Sequence, residues 1–178
     1  MMLLMMFQVA DELRQAIDAA QAYTFSIDLV VKPPHADPIR STVRGVVNRD
    51  GPTYLEIKGI RDRKMVITSE VTWVYDDFIG WLTGPDFGDP RAGRGIENPK
   101  AVLAAVRERV ADAERASDGS IAVRVNDADI NVVIREGRIA AVRCRSTTAD
   151  LDVTSTVTVE AYDRDTRIIW KDIPEPPQ

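Results

Sequence analysis

Apolar residues at Leu3, Phe7, Ala10, Leu13, Ile17 and Ala20 recur every three or four positions, with Asp11, Glu12, Arg14 and Asp18 between them. That spacing places one apolar stripe on a helix and predicts an α-helix over residues 3–21. From Tyr23 the period changes to two. Tyr23, Phe25, Ile27, Leu29 and Val31 alternate with Thr24, Ser26 and Asp28, as a half-buried strand requires. Pro33, Pro34 and Pro38 end this strand, because proline cannot donate to a ladder. Further strands read over 41–48, 53–58, 64–69, 71–75 and 78–82, with Asp50-Gly51 suggesting a tight hairpin turn between the first two.

Between Gly84 and Asn98 the composition turns to Gly, Pro, Asp and Arg, which reads as a long solvated loop able to act as a lid. Asn98-Pro99 then reads as an N-cap followed by proline at the first helical position. Val102, Leu103, Val106, Val110 and Ala113 continue as an apolar stripe, predicting a second helix over 99–116 closed by Asp118-Gly119. Strands return over 121–125, 130–135, 138–146, 151–162 and 167–170, before a proline-rich tail at 173–178. About ten strands with two helices and no βαβ alternation predict one mainly antiparallel α+β domain spanning residues 1–178.

Composition narrows the function. The 178 residues carry 23 basic and 28 acidic side chains, a net charge of −5 that repels nucleic acid and anionic lipid at long range. The apolar run Met1–Phe7 stops at Asp11-Glu12, well short of the roughly 20 residues of a membrane-spanning helix. It also lacks the basic start of a secretory signal, so the chain reads as cytoplasmic as written or as one whose export signal has been trimmed away. Cys144 is the single cysteine and reads as a buried structural thiol between Arg143 and Arg145, a reactive thiolate being the alternative.

Catalytic arrangements find little support. His35, the single histidine, sits in a proline-rich turn with no second ligand nearby in sequence, which argues against a zinc centre and a Ser-His-Asp triad. The acids at Asp76-Asp77, Asp86 and Asp89, Asp127 and Asp129, and Asp163 and Asp165 fall at apparent turns, where they cap backbone amides. Gly93-Arg94-Gly95 lacks the lysine of a phosphate-binding loop, and the arginines at 135, 138, 143 and 145 have no interleaved aromatic residues for stacking on bases. No cofactor or metal site follows. What stands out is apolar supply: Trp73, Tyr75, Phe78 and Trp81 crowd beside the long loop, either as core or as the lining of an apolar cavity.

The strand Tyr23–Val31, the segment Val71-Thr72-Trp73-Val74-Tyr75-Asp76, the helix opening at Asn98-Pro99-Lys100-Ala101-Val102-Leu103 and the turn Glu136-Gly137 come in an order that resembles the lipoprotein-carrier superfamily, the LolA/LolB-like and LppX/LprG-like proteins, across nearly the whole chain. The resemblance implies a strongly curved, unclosed antiparallel half-barrel, two helices over its concave face, and acyl chains held between them without catalysis. It implies inward, ligand-lining roles for Phe25, Ile27, Leu29, Trp73, Tyr75, Trp81, Val102 and Val106. It further implies an extracytoplasmic setting and a lipid or other apolar small molecule as partner. A protein-interaction or envelope-sensing module on the same scaffold is the alternative reading.

Overall fold

The structure, a computed structural model, describes residues 2–59, 62–68, 72–76, 80–83, 98–148 and 150–163, with the backbone alone for 2–7, 76 and 83. The expected loop at 84–97 and the short strand at 167–170 lie outside the described residues, as does Phe78. Helix α1 spans Met2–Ala19 and is followed by strands β1 (Tyr23–Lys32), β2 (Ile39–Val47), β3 (Thr53–Lys58), β4 (Arg63–Ile67), β5 (Thr72–Asp76) and β6 (Gly80–Thr83). Helix α2 (Pro99–Glu108) and a 3-10 turn (Val110–Asp112) lead into β7 (Glu114–Arg115), β8 (Ile121–Val125), β9 (Ala128–Arg135), β10 (Arg138–Thr147) and β11 (Asp152–Tyr162). The eleven described strands join one antiparallel sheet in the order β6-β5-β4-β3-β2-β1-β11-β10-β9-β8-β7. The sheet is an unclosed half-barrel, because β6 and β7 end it without pairing to each other.

Each half of the sheet is a meander, and β1 joins the halves by pairing with both β2 and β11. Residues directly opposite in an antiparallel pair share a face, so the register assigns every side chain. One face runs Val123, Ile130, Cys144, Ser155 and Leu29 across five strands, with Ile121, Val132, Val142, Val157, Ile27, Val43 and Ile57 in the next row. Phe25, Gly45, Leu55, Met65, Val74 and Leu82 continue this face to the far edge. Most of these residues are buried, and they form one cluster with Val9, Leu13, Ala16 and Ile17 of α1 and Val102, Leu103 and Val106 of α2. The helices therefore cover this face, and their main sheet contacts are with β7, β8 and β10. Two exposed ion pairs, Arg107 with Asp18 at 3.0 Å and Arg115 with Glu12, tie α1 to α2 and to β7. Such pairs contribute at most about 1 kcal/mol each.

Three expectations change in detail. The second helix ends at Glu108 rather than near 116, although its stripe through Val110 and Ala113 is buried as the spacing implied. Glu114 and Arg115 pair instead with Ala122 and Ile121, so a hairpin closed by Gly119 at φ 83° takes the residues that helical periodicity would have continued. This adds β7, a strand that the periodicity did not predict. The link from β2 to β3 is a five-residue loop, 48–52, rather than a tight hairpin turn. Pro52 extends it, and Asn48 Nδ2 donates to the Pro52 carbonyl at 3.0 Å. The Glu136-Gly137 turn is the tight one, with both residues at positive φ, 52° and 74°.

Candidate functional site

The eight residues expected to line a ligand cavity do not share one surface. Phe25, Ile27, Val102 and Val106 are buried together between the helices and the sheet, and Leu29 is half-buried on the same face. Trp73, Tyr75 and Trp81 are on the other face. Trp73 stands opposite Val66, Val66 opposite Tyr54, and Tyr54 opposite Val46, while Tyr75 stands opposite Lys64 and Trp81. The inward expectation for these three aromatic residues is therefore corrected: on β5 the inward residues are Thr72 and Val74, and on β6 Leu82 takes that side. Tyr75 and Trp81 meet edge to face at 5.3 Å, and Lys64 Nζ lies 5.6 Å from the Tyr75 ring centre, an arrangement of an outer face.

Open space on the helix-covered side lies beside α2. A cleft of about 580 Å³ runs between the first turns of α2 and the ends of β3 and β4. Pro52, Thr53, Ile67, Ala101 and Ala104 supply its apolar wall, and Asp50, Thr68, Asn98 and Lys100 supply polar groups. Thr53 and Ile67 are opposite one another in the inward row that continues from Tyr23 and Val47, so the cleft opens onto the covered face. The geometry follows from local chemistry. Asn98 caps α2 by accepting from the Lys100 amide at 3.2 Å, and Pro99 starts the helix, which buries Val102, Leu103 and Val106 and turns the small Ala101 and Ala104 toward the cleft. None of the eight expected residues lines this cleft. Its signal in the sequence was the run of alanines beside the buried stripe of α2, where a helix packed all round would carry larger side chains.

A second cleft, about 300 Å³, lies on the outer face among Ser26, Asp28, Thr42, Arg44, Glu56 and Lys58. Its walls are polar and charged, and Lys58 is engaged by Asp62 at 2.7 Å and Glu56 at 3.4 Å. The hydrogen bond from Lys58 and the Gly59 amide hold the Asp62 carboxyl below its usual range.

Of the groups considered for chemistry, Asp77, Asp86, Asp89, Asp165 and Gly93-Arg94-Gly95 lie outside the described residues, and several of the others are engaged by packing and pairing. Cys144 is buried, and burial pushes its thiol pKa up. A thiol so shielded is a poor nucleophile. His35 is exposed in the turn after β1. Arg138 pairs with Asp163 at 3.0 Å and stacks over Tyr162, Arg143 pairs with Asp118 at 3.4 Å, and Arg145 pairs with Asp152 at 3.5 Å. Asp118 accepts from the Ser120 hydroxyl at 2.5 Å and from its amide at 3.0 Å, which lowers its carboxyl pKa and makes it a turn-capping acid. Among the described residues no group of three His, Cys, Asp or Glu side chains is placed to hold a metal, and no helix is long and apolar enough to cross a membrane.

No family model matches the chain, and no curated protein matches it. Among solved structures, the chain is similar to a LolA superfamily protein from Nitrosomonas europaea, with 10% identity, a TM-score of 0.44, and coverage of 86% of this chain and 91% of that one. It is similar to MucB at 13% identity and a TM-score of 0.44, covering 89% of this chain and 61% of MucB. A MucA/MucB complex from Pseudomonas aeruginosa gives 12% identity, a TM-score of 0.41, and coverage of 89% and 59%. The chain thus spans less than two thirds of the MucB chains, and the similarity throughout is one of fold.

Proposed function

We propose that the protein is a non-enzymatic binding domain for an apolar or amphipathic small molecule, held in the cleft between α2 and the ends of β3 and β4. One observation carries the reading: about 580 Å³ of space on the helix-covered side, walled by Ile67, Pro52, Ala101 and Ala104. That volume falls within the roughly 300–1,000 Å³ typical of small-molecule sites. The apolar wall takes a hydrocarbon portion, and Lys100 and Asn98 at the margin suit a polar end. Phe25, Ile27, Val102 and Val106 serve as the packed floor that fixes α2. The Cys144 thiol is buried and the Asp118, Asp152 and Asp163 carboxylates are paired with arginines, which favours carriage over catalysis.

The test is direct. Organic extraction of the purified protein followed by mass spectrometry is expected to recover an apolar molecule, and a fluorescent fatty acid is expected to bind the emptied protein. Ala101→Phe and Ala104→Phe fill the cleft from half-buried and exposed helix positions that tolerate larger side chains. Each is expected to weaken binding at least tenfold while leaving the thermal midpoint within a few degrees. An extract free of apolar molecules together with no fatty-acid binding, or binding unchanged in both variants, would overturn the reading.

A further inference from the structure

Ion pairs take up Arg107, Arg143 and Arg145, but two opposite charges facing the cleft beside α2 have no such partners. Asp50, in the 48–52 loop, and Lys100, in the first turn of α2, both line the cleft and are exposed. Neither side chain forms an ion pair or hydrogen bond among the described residues. The two walls differ in sign. Lys100 stands at the positive end of the α2 dipole, whose first turn carries no acidic side chain, so that wall favours an anion. Asp50 gives the loop wall the opposite preference. Thr53, only 2% exposed at the start of β3, also lines the cleft, and its hydroxyl has no hydrogen-bond partner among the described residues. A buried hydroxyl left in this way costs free energy that a ligand oxygen can recover.

An anionic head group is attracted by Lys100 and the start of α2 but repelled by Asp50. A cationic one meets the reverse, and a neutral one engages neither charge. Resting on the cleft's role as a site for amphipathic molecules, as proposed above, we propose that its ligand is a zwitterionic amphiphile. The anionic group lies against Lys100 and the start of α2, the amine or quaternary ammonium against Asp50, and the chain along Ile67, Pro52 and Ala104. Thr53 offers its hydroxyl to a ligand oxygen where the head group meets the chain. Both charged contacts are exposed, where an ion pair contributes up to about fivefold in affinity. Selectivity for the head group therefore comes from making the two contacts together.

Calorimetric titration of the emptied full-length protein with decyl amphiphiles below their micellar concentrations tests this. Decylphosphocholine and a decyl carboxybetaine serve as zwitterions, decanoate as the anion, decyltrimethylammonium as the cation and decanol as the neutral probe. The better of the two zwitterions is expected to bind about fivefold or more tightly than decanol, and more tightly than either singly charged probe. Asp50→Asn is expected to weaken zwitterion binding while strengthening that of decanoate. Lys100→Gln is expected to weaken zwitterion and decanoate binding while strengthening that of decyltrimethylammonium, with decanol unchanged in both variants. Loss of stability alone would weaken every probe together and would not move the charged ones in opposite directions. Decanol bound as tightly as the better zwitterion leaves the amphiphile site standing and overturns the zwitterion, as do variants that leave the ranking of probes unchanged. Failure of every probe to bind removes the cleft as a site and the zwitterion with it. The ranking is measured on the unaltered chain, so a variant that fails to fold does not blunt the test.

Discussion

At the scale of single residues, the joint between the two halves of the sheet is built on a close approach and a dry hydroxyl. A Cβ added at Gly45 would lie 2.3 Å from the Tyr54 carbonyl oxygen and 2.6 Å from Phe25 Cζ, so the Phe25 ring lies across β2 only because that position has no side chain. Beside it, Tyr23 packs against Phe25 and Tyr162 at ring-centre distances of 6.0 Å in both cases. The Tyr162 hydroxyl donates to the Ile139 carbonyl at 2.7 Å, whereas the Tyr23 hydroxyl is buried without a hydrogen-bond partner among the described residues. Burial, and secondarily Tyr162, raises the Tyr23 pKa well above the ordinary tyrosine value. Its contribution to stability is therefore complete below about pH 10, where the unfolded tyrosine is still protonated, and falls as pH rises further, because the unfolded chain then releases a proton that the folded chain keeps. Tyr23→Phe is expected to leave stability at pH 7 unchanged or higher by up to about 1 kcal/mol. Urea titrations at pH 8 and pH 11 should show the variant's advantage widening at the higher pH. An advantage that shrinks would mean that the fold stabilises the Tyr23 phenolate rather than the buried neutral hydroxyl.

At the scale of elements, much of the fold was readable and the facing of its edge was not. The alternation at Tyr23–Val31 and the run at Thr53–Lys58 marked strands within a residue of their ends, because one parity is apolar and the other polar, which fixes both the element and its face. On β5 that contrast vanishes: Trp73 and Tyr75 are as apolar as Val74, so the local pattern is compatible with either face. Only the chain of registers from β1 through β4 decides it, and that information is long-range. The end of α2 was hidden for a related reason, since Val110 and Ala113 keep helical spacing while β8 draws Glu114 and Arg115 into the sheet. Its start was legible because Asn98-Pro99 is a local signal. Asn98→Ala removes the acceptor for the Lys100 amide and is expected to cost about 1 kcal/mol in urea unfolding, with Asn98→Asp retaining the cap. As Asn98, Lys100 and Ala101 line the cleft, the same substitution should weaken fatty-acid binding. Unchanged unfolding and binding would show that the first turn is held by other contacts.

At the scale of the whole molecule, the described residues brace the two halves of the sheet unequally, and the cleft lies at the boundary. The helices make their main contacts with β7, β8 and β10, and exposed ion pairs join α1 to that side. The strands from β3 to the β6 edge are held by their ladder and by inward residues such as Leu55, Met65 and Val74, while the half-buried Ile67 at the end of β4 lines the cleft. Segments with fewer buried contacts open at lower free energy than the core, so amides of β4 to β6 are expected to exchange with solvent earlier than those of β9 to β11. A ligand seated against Ile67, Ala101 and Ala104 bridges α2 to the weaker half and must raise the free energy of openings that disrupt that bridge. At a free ligand concentration about 100 times its Kd, such openings should become about 100-fold rarer. Hydrogen exchange with and without a saturating fatty acid is therefore expected to show slowing concentrated in β3, β4 and the first turns of α2, with β9 to β11 little changed. Uniform slowing over all strands would instead place the ligand on the shared core between the halves, and slowing confined to β8 to β10 would move it away from the cleft.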